Sequence, residues 1–139
     1  PGSYTGVRVA QGFSEVLELQ GIKTLSCRHF ELPQMMGHGD GLFVSRAFKG
    51  ETFIYQWAGN EHKQALVKDS EAVAIIDSAK EDHGRVYTSE PDFYKECLST
   101  YDCLRDHSKE LFSQMRERKM KSGVFYYREL QDEFSKGKA

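Results

Sequence analysis

Apolar positions recur along this chain in two periods, and the period of each stretch predicts its element. Val9, Phe13, Val16 and Leu17 return at helical spacing, so a helix with one apolar face is expected, with Ser3 as its N-cap and Gly21 closing it. Residues 21–27 read as a short strand. A short helix follows over about 30–36, its start limited by Pro33, and Gly37, Gly39 and Gly41 mark a loose turn. Residues 42–48 and 51–57 are aromatic and β-branched runs separated by Lys49-Gly50, which predicts a hairpin. Period two puts Phe53, Tyr55 and Trp57 on one buried face. Residues 64–67 add an edge strand, and Asp69-Ser70 cap a helix with Val73, Ile75, Ile76 and Ala79 as its apolar set. Residues 84–88 read as a further strand. Pro91 then suits the first position of a helix through Phe93, Cys97, Leu98, Tyr101 and Leu104. A second helical stretch holds Leu111, Phe112 and Met115 and ends in the charged run 116–121 before Gly123. Residues 124–128 precede a polar helix or tail. Strands alternating with helices argue for an α/β fold.

Composition narrows this. The 139 residues suit one domain or two small lobes, and 39% hydrophobic with 12% aromatic residues is too much for disorder. The net charge of −2 makes no general case for nucleic acid or an anionic membrane, yet it is uneven. Residues 1–103 carry a net −5 and residues 104–139 a net +3. Cys27, Cys97 and Cys103 are odd in number and lack metal-ligand spacing, which fits free thiols in a reducing cytoplasm. No apolar run approaches the roughly 20 residues of a membrane span, and no signal-peptide pattern is visible. The expectation is a cytoplasmic protein.

Catalytic patterns are sparse. None of His29, His38, His62, His83 and His107 forms an i, i+4 pair. Ser3 and Ser26 are outside any Gly-x-Ser-x-Gly elbow, and Asp69, Glu71, Glu81 and Glu90 are scattered acids whose default reading is solvated surface. The glycine-rich turn ahead of the first helix suggests an anion site, but the lysine and spacing of a P-loop are absent. Gly12, mid-helix, costs about 1 kcal/mol relative to alanine and often marks a close backbone approach.

The opening Pro1-Gly2-Ser3-Tyr4-Thr5-Gly6-Val7-Arg8, read with the helix it launches, strongly resembles the strand–loop–helix motif of the TsaB (YeaZ) family. The alternative origin of Pro1-Gly2-Ser3 is the residue of a cleaved expression tag. Two further stretches are similar to family elements: Gly50-Glu51-Thr52-Phe53 to a Gly-Glu-aromatic hairpin, and 124–128 to a Pro-x-Tyr-Leu-Arg segment. Val124 and Tyr127 depart from the latter. The resemblance implies an actin-like, ribonuclease-H-like two-lobe fold in an N-terminally truncated chain. Residues 1–35 would be the remnant of the first lobe, 36–122 the second lobe, and 123–139 a segment returning toward the first.

The same resemblance implies a non-catalytic partner that supports a TsaD-like subunit, together with a TsaE-like ATPase, in forming threonylcarbamoyladenosine beside the tRNA anticodon. Metal and ATP would belong to the TsaD-like partner, and no cofactor is expected on this chain alone. That relative holds its metal with a His-x-x-x-His, whereas here His29 is followed by Pro33, which offers no side-chain ligand. The first helix would carry the pairing surface, used for TsaD or for a homodimer, with Tyr4, Val7, Arg8, Gln11 and Glu15 as its candidates. The basic run supplies candidate RNA contacts in Arg116, Arg118, Lys119 and Lys121, with Arg128 close behind, set against the plain gain of cations at a helix C-terminus. The competing class is an actin-like ATP-dependent enzyme, a small kinase or glycoprotease-type protein, acting alone. A self-associating stability factor is a third.

Overall fold

A computed structural model of the chain describes residues 4–48 and 50–126. Its elements run α1 (Tyr4–Leu19), a 3₁₀ turn (His29–Glu31), α2 (Leu32–Met35), β1 (Asp40–Arg46), β2 (Glu51–Ala58), β3 (Glu61–Lys68), α3 (Asp69–His83), β4 (Val86–Thr88), β5 (Leu98–Ser99) and α4 (Thr100–Glu117). The strands form one mixed sheet in the order β3-β2-β1-β4-β5. β2 is antiparallel to both of its neighbours, while β4 runs parallel to β1 and β5 parallel to β4. The α/β expectation therefore holds.

The predicted hairpin is the centre of the sheet, with Phe43 opposite Tyr55 and Gly41 opposite Trp57. Alternation along β1 and β2 divides their side chains between two apolar layers. Phe43, Phe53, Tyr55 and Trp57 join Phe30, Tyr87 and Cys103 on one face. Leu42, Val44 and Ile54 join Val86 and the α3 residues Ile76 and Ala79 on the other. A third cluster, Leu32, Met35, Leu111 and Met115, packs α2 against α4. Residues from the stretch 1–35 thus share cores with residues of the stretch 36–122. β3 is the expected edge strand, longer than the sequence suggests.

Several expectations are corrected. The helix proposed from Pro91 does not form there. Residues 91–97 make successive turns, with Phe93 and Tyr94 donating to the Glu90 carbonyl, so that the chain can return to pair β5 with β4. Ser99 then caps α4, its hydroxyl accepting from the Tyr101 amide at 3.2 Å, and the two predicted helices fuse into one with a kink at His107. Residues 21–27 are not a strand. A single bridge, Ser26 to Lys121, is their pairing among the described residues, and a strand needs a neighbour along its length. In α3, Ile76 and Ala79 are buried as expected and Ala72 joins them, whereas Val73 is 59% exposed. Asp69 and Ser70 lie inside that helix, because Lys68 holds its N-cap position. Gly41 belongs to β1, not to the preceding turn. Residues 122–126 form no strand, and the rest of the predicted C-terminal segment lies outside the described residues.

Candidate functional site

α1 ends as its sequence predicts. Gly21 takes a left-handed φ of 79°, the Ile22 amide donates to the Leu17 carbonyl at 3.0 Å, and the Gly21 amide to Glu18 at 2.9 Å. This is the Schellman closure that only glycine adopts without strain. It turns the chain back beneath α1 and leaves the helix with two unlike faces.

The inner face is polar and tethered. Ser14 Oγ lies 2.7 Å from Thr24 Oγ1, and Thr24 donates to Glu18 Oε1 at 2.6 Å. Lys121 Nζ reaches both Glu18 oxygens at 2.5 and 2.6 Å. The bonds from Lys121 and Thr24 hold the Glu18 carboxyl below its ordinary pKa. Between this face and the body of the protein lies a cavity of about 570 Å³. The outer face is apolar and uncovered: Val9, Phe13 and Val16 are 66%, 68% and 54% exposed. A Cβ built on Gly12, on the same side, would meet nothing within 4 Å among the described residues. Any close backbone approach at Gly12 therefore has to come from elsewhere.

The candidate interface residues are split by this geometry. Val7 is half-buried and, with Gln11 and Glu15, lines the cavity; the Gln11 amide donates to Glu15 at 2.9 Å. Arg8 is exposed, its guanidinium 6.0 Å from the centre of the Tyr126 ring. Tyr4 opens the helix. The residues that present the open apolar surface are Val9, Phe13 and Val16, whose helical spacing was already visible in the sequence. What the spacing lacked was the side on which the rest of the chain would pack.

Four of the five candidate RNA contacts fall among the described residues, at and just after the end of α4. Arg116 and Arg118 are exposed at the end of α4, and Lys119 follows with a left-handed φ of 50°. Lys121 is committed to Glu18, and Arg128 lies outside the described residues.

Pro33 is buried in α2. His29 sits half-buried with its ring nitrogens 3.2 and 3.4 Å from Thr100 Oγ1 and its ring 4.9 Å from Tyr101, and burial pushes its pKa down. Burial raises all three cysteine pKa values, which keeps them as weakly nucleophilic thiols at neutral pH. Of the scattered acids, Asp69 and Glu90 meet in a polar pocket at the ends of β1 and β4 with Arg46, Gly50 and Glu51. Both are structurally engaged. Asp69 accepts from Thr52 at 2.8 Å, and Glu90 accepts from the Arg46 backbone at 2.5 Å and from Arg46 Nε at 2.9 Å. Among the described residues no group of three or more His, Cys, Asp or Glu side chains is placed to hold a metal ion, and no helix is long and apolar enough to cross a membrane.

No family model, no curated protein and no solved structure matches this chain.

Proposed function

We propose that this protein is a non-catalytic, TsaB-like partner subunit that pairs through the outer face of α1 with a TsaD-like catalytic subunit forming threonylcarbamoyladenosine in tRNA. The observation that carries this reading is the open stripe Val9–Phe13–Val16 beside Gly12, on the helix whose first turn resembles the family motif. Burying an exposed phenylalanine or valine contributes about 1.5–3 kcal/mol, so three such side chains around a glycine are a sufficient nucleus for a helix–helix contact. Arg8, exposed on the helix, supplies part of the polar rim of the stripe, while Val7, Gln11 and Glu15 brace the helix from beneath. The strand order, with β2 alone reversed, supports one lobe of the actin-like, ribonuclease-H-like fold. In isolation the same stripe pairs with a second copy of the chain. Metal, ATP and the transfer chemistry belong to the TsaD-like partner, and the TsaE-like ATPase joins that pair.

Co-expression with a TsaD-like subunit tests this. The wild-type chain is expected to co-purify with it and to sustain tRNA modification. Phe13→Asp is expected to abolish both while leaving the thermal midpoint of the isolated chain within a few degrees, since Phe13 touches no core. Retention of partner and modification by the variant would remove the basis of the proposal.

A further inference from the structure

The pairing surface on α1 gives no role to the 36–39 loop, which joins α2 to β1. The loop turns at Gly37, left-handed at φ 80°, and its carbonyls hold the end of β2. The Trp57 indole N–H donates to the His38 carbonyl at 3.0 Å, and the Gly59 amide, just past β2, donates to the Gly39 carbonyl at 2.6 Å. Trp57 is 1% exposed, so this loop closes one end of the aromatic layer.

The His38 side chain fastens the loop to β4. Its half-buried ring stacks on Tyr87, with centres 5.9 Å apart and planes at 23°, and Nδ1 lies 2.9 Å from an Arg85 terminal nitrogen. A guanidinium only donates, so Nδ1 is the acceptor and the ring proton sits on Nε2. The contact therefore exists only while His38 is neutral. Protonation sets an N–H on Nδ1 against an arginine that keeps its charge at any ordinary pH.

The surroundings favour the neutral form. Burial first, then Arg85 and then His107, push the His38 pKa below the ordinary histidine value. His107 comes from α4, at the kink where φ −122° and ψ 19° interrupt the helix. The acids beside it are engaged, Asp106 with Arg105 at 2.8 Å and Glu110 with His107 itself at 4.0 Å. Asp40, two residues along the chain from His38, has a partner of its own. From β4 the ring meets Tyr87, whose hydroxyl burial keeps protonated, and β2 contributes the uncharged Trp57. Acid thus brings like charges together at Arg85, His38 and His107, where loop, β4 and α4 meet. With its folded pKa lowered, His38 contributes fully above the ordinary histidine value, and that contribution is lost as pH falls through the lowered one.

We propose that His38 is an acid-sensitive catch: neutral, it accepts from Arg85 and holds the 36–39 loop on β4; protonated, it lets go of Arg85 and opens the Trp57 end of the aromatic layer to solvent.

Histidine ring NMR, emission from Trp57 as the only tryptophan, and far-ultraviolet circular dichroism, each followed from neutral to acid pH on the full chain, test it. In the wild type the emission is expected to shift to the red with the midpoint at which His38 titrates, below that of free histidine, while the circular dichroism stays constant. His38→Phe keeps a ring on Tyr87 without a titrating group and is expected to lose the shift. Arg85→Met removes the donor and its charge and is expected to raise the His38 midpoint. The proposal is overturned if Trp57 does not respond as His38 titrates, or if secondary structure is lost in the same step. It is equally overturned if H38F responds like the wild type or if R85M leaves the His38 midpoint where it was.

Discussion

Substituting Gly41 by alanine sets one methyl group against the only tryptophan in the chain. Gly41 pairs with Trp57 across the hairpin, and a Cβ on it would lie 2.5 Å from Trp57 Cζ2, 2.8 Å from Cη2 and 3.2 Å from Cε2. Real Cβ atoms do not approach that closely, so something must shift. Trp57 is 1% exposed, with ring centres of Tyr55 and Tyr87 6.0 and 6.2 Å away, and its indole N–H donates to the His38 carbonyl at 3.0 Å. The ring therefore cannot slide away without compressing those neighbours or giving up the bond. Overpacking of this kind costs about 1–3 kcal/mol and the lost bond about 1 kcal/mol, so Gly41→Ala is expected to destabilise the protein by about 2–4 kcal/mol. That is a large share of the roughly 5–15 kcal/mol available to a domain. Urea unfolding followed by Trp57 fluorescence and by circular dichroism measures it. In G41A/W57F the clashing ring atoms are gone, so the double variant should be more stable than additivity predicts by about 1 kcal/mol or more. A loss under about 0.5 kcal/mol for G41A, or strict additivity in the cycle, would refute the steric argument.

Two further outcomes follow from buried and tethered polar groups. Thr52 is 1% exposed, donates to Asp69 at 2.8 Å and lies 3.0 Å from the Tyr94 hydroxyl, which donates back to it. Thr52→Val keeps the shape and removes both bonds, with an expected cost of about 1–3 kcal/mol in the urea midpoint, and a variant as stable as the parent would contradict this. At Glu18 the folded pKa is lowered by Lys121 and Thr24, so its contribution is complete above the ordinary carboxylate pKa and is lost as pH falls through the lowered value. Amide hydrogen exchange in α1, corrected for its intrinsic pH dependence, should therefore accelerate on acidification, and Glu18→Gln should flatten that response. A wild-type profile as flat as that of the variant would show that the tether does not hold the helix.

How much of this was legible beforehand depends on the range of the forces involved. The hairpin was readable to within two residues at the outer strand ends, because alternation in 42–48 and 51–57 is set by the pleat and Gly50 takes the left-handed φ of 78° between the strands. The closure of α1 was readable for the same kind of reason, since the need for a left-handed residue at Gly21 is satisfied within five residues. Residues 91–97 misled because Pro91 and the apolar spacing behind it are good local helix signals. They were overridden by contacts distant in sequence: Arg46 lies 4.7 Å from the Phe93 ring, Thr52 bonds Tyr94, and Lys80 meets Glu96 at 2.6 Å. Residues 21–27 misled in the opposite sense, having the composition of a strand with pairing only at Ser26 among the described residues.

By itself, then, the sequence determined the α/β character, the central hairpin with its aromatic face, and the two-faced helix at its start. These follow from periodicity and turn chemistry acting over a few residues. Tertiary structure alone decided which face of α1 meets solvent, that Lys121 is spent on Glu18, and that His38 is set against Arg85. Each of those depends on where residues far apart in the chain come to rest, and no local period encodes that distance.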